Sequence, residues 1–142
     1  MQNKFMKAAV NEAKKAAVKD EVPIGAVIVY DGKIIARGHN TRQKTQNAVN
    51  HAEIIAIQKA CKKIGSWRLI DCDIYVTLEP CPMCAGAIGW SQLGRLVFGA
   101  EDEKRGYKRF APDVLHPKTE VVSGVCAEEC TALMKEFFKN KR

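Results

Sequence analysis

His51 and Glu53 stand two residues apart in the segment Asn50-His-Ala-Glu-Ile-Ile-Ala-Ile57. Within the body of a helix that spacing puts the two side chains on different faces. At a helix start both can converge on a point beyond the N-terminus, where unpaired backbone N–H groups also point. Such a point suits a metal ion and an acid/base group acting on the same water. The segment Glu79-Pro-Cys-Pro-Met-Cys84 supplies the complement. A Cys-x-x-Cys pair can hold one tetrahedral metal, and zinc accepts mixed Cys and His ligands. His51, Cys81 and Cys84 then leave the fourth position to a water or hydroxide, one zinc per subunit, which is the catalytic pattern. Zinc lowers the pKa of bound water to about 7. Glu53, close by but not a ligand, can take that water's proton and deliver it to a substrate. A non-catalytic, zinc-stabilised binding module would normally carry a fourth protein ligand instead.

The elements around these residues have to bring them together. Residues 3–19 repeat apolar side chains at helical spacing, with lysines opposite, and Pro23 ends the pattern. Gly-Ala-Val-Ile-Val-Tyr30 and Lys33-Ile-Ile-Ala-Arg-Gly38 flank Asp31-Gly32, which predicts a hairpin with a type I′ turn. The first of these strands is apolar throughout, so both its faces should be buried. A polar loop follows, then a helix over 51–64 with Ile54, Ile57, Cys61 and Ile64 on its inner side. Asp73–Leu78 reads as a strand, and Pro80 and Pro82 bracket the start of a helix to about Gln92. A strand at Arg95–Gly99, a basic turn-rich stretch, a short strand at 120–123 and a helix from about 126 complete the chain. Strands alternating with helices after a hairpin imply an α/β domain, its mixed sheet covered on both faces. Both ligand groups fall where a loop or strand feeds a helix N-terminus, whose dipole favours thiolates.

Composition narrows the setting. At 142 residues the chain fits one domain, 1–142, with a core able to stand alone. No apolar run approaches the roughly 20 residues of a membrane span, and the N-terminus lacks a signal-peptide core, so a cytoplasmic location is expected. Six cysteines then read as metal ligands or free thiols rather than disulfides. The net charge of +7 favours an acidic partner such as nucleic acid.

The order H-x-E followed by P-C-x-x-C is the known signature of zinc nucleobase deaminases. Beyond it, Glu21-Val-Pro-Ile-Gly-Ala-Val27, Thr77 to Ala87, Leu96 to Asp102 and Ser123 to Phe138 resemble the bacterial tRNA adenosine deaminases over nearly the whole chain. The resemblance implies a cytidine-deaminase-like three-layer α/β/α sandwich with a five-stranded mixed sheet, and a homodimer. It implies hydrolytic conversion of adenosine to inosine at the wobble position of a tRNA anticodon stem-loop. By the same resemblance, His51, Cys81 and Cys84 bind zinc and Glu53 shuttles protons. Asn40 contacts the target base, Arg42 faces the RNA, and Asp102 handles the flanking nucleotide. Gly86-Ala-Ile-Gly-Trp90 is similar to guanine deaminases, so deamination of a free base or nucleoside, guanine or cytosine in type, is the alternative.

Other residues have plainer readings. Lys104, Arg105, Lys108 and Arg109 interleave with Tyr107 and Phe110, either as phosphate and stacking contacts or as a solvated loop with its aromatics turned inward. Glu79 is expected to orient a loop by accepting backbone N–H bonds. His39 is expected to make a local hydrogen bond, His116 to lie in a surface turn, and Trp67 and Trp90 to pack in the core. Cys61 and Cys72 read as free thiols on apolar faces; Cys126 and Cys130, spaced i, i+4, could share a metal, but Cys130 fits a core stripe with Leu133 and Phe137.

Overall fold

The computed structural model describes residues 2–140. Helix α1 (Gln2–Val18) buries Phe5, Met6, Ala9, Val10, Ala13 and Ala16 and leaves its lysines in solvent. The hairpin follows as β1 (Gly25–Tyr30) and β2 (Lys33–His39). Asp31 and Gly32 at its tip have φ of 51° and 73°, the two positive values a type I′ turn requires. The strand β1 is buried on both faces up to Val29, as its apolar run predicts. Then come α2 (Arg42–Thr45), α3 (Ala52–Ile64), β3 (Cys72–Leu78), α4 (Pro82–Trp90) and β4 (Arg95–Ala100). The chain ends with α5 (Tyr107–Phe110), β5 (Glu120–Val122) and α6 (Ala127–Lys139).

The five strands form one mixed sheet in the order β2-β1-β3-β4-β5. The strand β1 runs antiparallel to β2 and β3, while β3, β4 and β5 are parallel. Alternation along each strand sorts the core into two layers. Val27, Val29, Tyr75 and Val97 face α1 and α6, whereas Ile28, Ile74, Val76, Leu96 and Phe98 face α3 and α4. This is the expected three-layer arrangement.

Register decides where the site forms. Gly25 pairs with His39, Ala26 with Val76, and Leu78 with Ala100. The end of β2, the start of β1 and the ends of β3 and β4 therefore share one edge of the sheet. The N-termini of α3 and α4 and the loops 40–51 and 101–106 emerge along that edge.

The expectations fail in a few places, each for a physical reason. The inner stripe of α3 is Ala52, Ala56, Ile57 and Ala60, while Ile64 is exposed and Ile54 only half-buried. The helix lies so close to β2 that a side chain on Gly38 would strike the Ala52 carbonyl, an approach that the small side chains at Ala52 and Ala56 permit. The one-turn helices α2 and α5 lack any periodicity that a sequence pattern could register. Helix α4 stops at Trp90, with Gln92 in the left-handed region at φ 58°. Trp67 and Trp90 are 56% and 81% exposed rather than core. His39 reaches across the fold to Glu12 instead of bonding locally, and His116 accepts the Lys118 N–H in a turn.

Candidate active site

His51 is the N-cap of α3 and Cys81 the N-cap of α4, with Pro82 opening that helix. Both caps have extended backbone, which turns their side chains out beyond the helix ends toward the shared edge. His51 Nδ1 lies 3.7 Å from Cys81 Sγ and 3.5 Å from Cys84 Sγ. A tetrahedral zinc at about 2.3 Å from sulfur and 2.0 Å from nitrogen separates those atoms by roughly 3.6 Å. The spacing therefore fits a metal held by one imidazole and two thiolates. Among the described residues this is the one group of three or more His, Cys, Asp or Glu ligand atoms that could hold a metal ion.

The electrostatics point the same way. The Cys81 thiol is pulled down to about 4, first by the hydrogen bond it accepts from Cys84 and then by His51. Cys84 is driven upward because it donates that bond and is buried. Its partner Cys81 raises His51. Two crowded thiols thus share a proton that a cation would displace. Glu53 is buried, and its Oε1 has no hydrogen-bond partner. Burial pushes its carboxyl up to about 7, against a bond at its own backbone amide that lowers it. An orphaned carboxyl oxygen two residues from the ligand histidine is where a water-derived proton could be received.

The other expected site residues lie around this cluster. Asn40 is buried, and its Oδ1 accepts the Ala52 N–H at 2.8 Å, so it secures the start of α3 next to His51. That bond leaves its two amide donors available. Arg42 is exposed on α2, near enough for its charge to lower the His51 pKa. Half-buried Asp102 uses Oδ1 to accept the N–H groups of Lys104 (3.1 Å) and Arg105 (3.0 Å), shaping the turn after β4. Glu79 accepts backbone N–H bonds, as its sequence context suggests. The basic loop divides between its two readings: Tyr107 is buried, whereas Phe110 is 61% exposed beneath the Arg109 guanidinium at 5.3 Å. Glu21, which sequence reasoning passed over, is buried and accepts the N–H groups of Gln43 and Lys44. Its signal was a carboxylate in an apolar Glu-Val-Pro-Ile context. A cleft of about 490 Å³ is lined by Glu21, Asn40, Arg42 and Phe137 and includes none of the cluster's ligands.

Known proteins agree with this geometry. The family model of MafB19-like deaminases matches residues 1–142. A tRNA-specific adenosine deaminase of Bacillus subtilis is 50% identical over 97% of this chain and 89% of its own. The solved structure of a tRNA:A34 deaminase, from a study of A-to-I editing at the wobble position, superimposes with a TM-score of 0.85. It is 42% identical over 91% of this chain and 97% of that one. A guanine deaminase from Bacillus subtilis is 44% identical with a TM-score of 0.67, over 69% of this chain and 63% of its own. With both the sequence and the fold matched over nearly their full length, the chain belongs to the MafB19-like deaminases and, among them, to the tRNA-specific adenosine deaminases.

Proposed function

We propose that this chain hydrolyses adenosine to inosine at the wobble position of a tRNA anticodon loop, working as one deaminase domain over residues 1–142. The observation that carries the reading is a His51–Cys81–Cys84 cluster with the unpartnered Oε1 of Glu53 beside it. His51, Cys81 and Cys84 would hold zinc, which when bound supplies Lewis acidity and lowers the pKa of water to about 7.

The chain's own residues do the rest. Glu53 takes the proton of the attacking water and passes it to adenine N1, and a second proton leaves with ammonia, so adenosine and water give inosine and ammonia. Burial keeps that carboxyl from solvent, so its protons pass to the substrate rather than to bulk water. Asn40 offers its amide donors to the base, Arg42 pairs with a phosphate, and Asp102 orders the loop that meets the flanking nucleotide. An unpaired anticodon base reaches such a pocket without a duplex being opened. Exposed Lys104, Arg105, Lys108 and Arg109 supply phosphate contacts.

A homodimer is part of this reading. Met83 and Trp90, spaced two turns apart on α4, leave an apolar face in solvent, and a second copy would cover it. Among the described residues no helix is long and apolar enough to cross a membrane. A tRNA substrate supports a cytoplasmic location.

The guanine deaminase likeness keeps one competing reading, a free-base deaminase. Inosine formation in a wobble-adenosine anticodon stem-loop, assayed beside free guanine, cytosine, adenosine and cytidine, separates the two. Conversion of the RNA alone is expected. Turnover of a free base with the RNA untouched overturns the proposal.

A further inference from the structure

Two buried carboxylates outside the metal cluster each hold one of the loops that flank it. Glu21 lies in the connection between α1 and β1 and is 3% exposed. Its two oxygens accept the backbone N–H groups of Gln43 at 3.1 Å and Lys44 at 2.9 Å. Glu79 directly follows β3 and is 4% exposed. Its two oxygens accept the N–H groups of Asp102 and Lys108, both at 3.1 Å.

Three of the four donors share a chemical predicament. Gln43 and Lys44 belong to the first turn of α2, and Lys108 to that of α5. The first N–H groups of a helix have no partner within it, and a one-turn helix is not stable by itself. Each carboxylate meets that need from at least 22 residues away in sequence. Gly106 completes the second clamp, because a Cβ there would run into the Glu79 carboxylate. Tyr107 also donates its N–H to the Pro80 carbonyl at 2.9 Å. The backbone that delivers Cys81 to the metal cluster therefore also anchors the basic loop.

These two loops carry the exposed cations next to the site: Arg42 and Lys44 on one, Lys104, Arg105, Lys108 and Arg109 on the other. A loop that must be ordered on binding spends part of its interaction energy on that ordering, whereas a loop already held in place does not. We propose that Glu21 and Glu79 are a pair of positioning residues that hold the two basic loops flanking the metal cluster in binding conformation before RNA arrives. The proposal rests on the RNA reading above. Neither carboxylate touches the base; each acts through the backbone of its loop.

The test uses Glu21→Gln and Glu79→Gln, singly and together, on the zinc-loaded protein with the anticodon stem-loop. Each single variant should raise KM roughly tenfold, equivalent to about 1.4 kcal/mol, and the pair roughly a hundredfold. The turnover at saturating RNA should stay within about twofold, the mark of lost binding rather than lost chemistry. Amide exchange should accelerate at Gln43 and Lys44 only in the first variant, and at Asp102 and Lys108 only in the second. Gly106→Ala keeps the carboxylate but presses the loop off it, and should reproduce the Glu79→Gln effect. Faster exchange with an unchanged KM overturns the proposal. So does a joint fall of kcat, zinc content and melting temperature in both single variants, which marks a merely structural role. A wild-type chain that leaves the stem-loop unedited removes the RNA reading and this proposal with it. That outcome is distinct from editing by the wild type which the variants leave unaltered.

Discussion

Adding one methyl group at Gly38 should dismantle the metal site from behind. Gly38 lies on β2 beneath the first turns of α3, whose N-cap is His51 and whose second residue is Glu53. A Cβ there would collide with the Ala52 carbonyl, stand 3.0 Å from Ala56 N and 3.2 Å from Ile55 Cβ. All of these atoms belong to the same helix, and two are backbone, so no side chain can swing away to relieve the clash. Ordinary contact starts at 3.4 Å, so the Ala56 contact alone requires about 0.4 Å of helix movement. Metal–ligand distances tolerate about 0.2 Å. Cys81 and Cys84 belong to α4 and would not follow. Gly38→Ala should therefore weaken zinc binding and cost about 1–3 kcal/mol of stability through overpacking. The displacement also misplaces Glu53, and errors approaching 1 Å can cost on the order of a hundredfold in rate. Zinc per subunit, measured after dialysis against a weak chelator, and single-turnover inosine formation read both effects. A variant that keeps full zinc and wild-type turnover would refute the claim that α3 is held at this height by the bare backbone of β2.

Further expectations concern the thiols and the surface. After zinc is stripped with a chelator, iodoacetamide at pH 6 should label Cys81 first, because its thiol is held at about 4, while buried Cys84 is protected. Peptide mapping that finds equal or preferential labelling at Cys84 contradicts that ordering. Burial raises the Cys72 thiol to about 11, with Asp71 and Asp73 adding to it, and burial raises Cys130 to about 12. Unfolded thiols ionise near 9, so these groups contribute stability that is complete below pH 9 and is lost as pH rises toward 11–12. Urea midpoints should fall above pH 9, and Cys72→Ala should flatten that decline; an unchanged slope refutes the assignment. Trp90→Asp should convert the proposed dimer to monomers by light scattering, and an unchanged mass would place the interface elsewhere.

Much of this site was legible because its chemistry is local in sequence. His51 and Glu53 sit two residues apart, Cys81 and Cys84 three apart, and prolines mark the helix start between them. Periodicity sufficed for the α1 helix and the Asp31-Gly32 hairpin. What escaped depends on contacts between distant segments. The alanine face of α3 reflects how closely β2 approaches it, and no pattern within the helix encodes that distance. The role of Glu21 depends on amides of Gln43 and Lys44 in a helix too short to be periodic. Tyr107 and Phe110 differ by one helical turn, yet one is buried and the other exposed. The packing of loop and strand settles that, not the residue type. Large aromatics usually pack inside, whereas Trp90 faces outward where a second copy could cover it.

In the proposed reaction Glu53 moves the protons, and the metal would be held by other residues. Glu53→Gln keeps the shape of the side chain and leaves His51, Cys81 and Cys84 untouched. The decisive measurement is single-turnover inosine formation in a wobble-adenosine anticodon stem-loop by wild type and Glu53→Gln, with zinc counted in both. Equal zinc, comparable RNA binding and a rate lowered by at least about a hundredfold are expected in the variant. Substantial inosine formation by the zinc-loaded Glu53→Gln protein would contradict that role of Glu53.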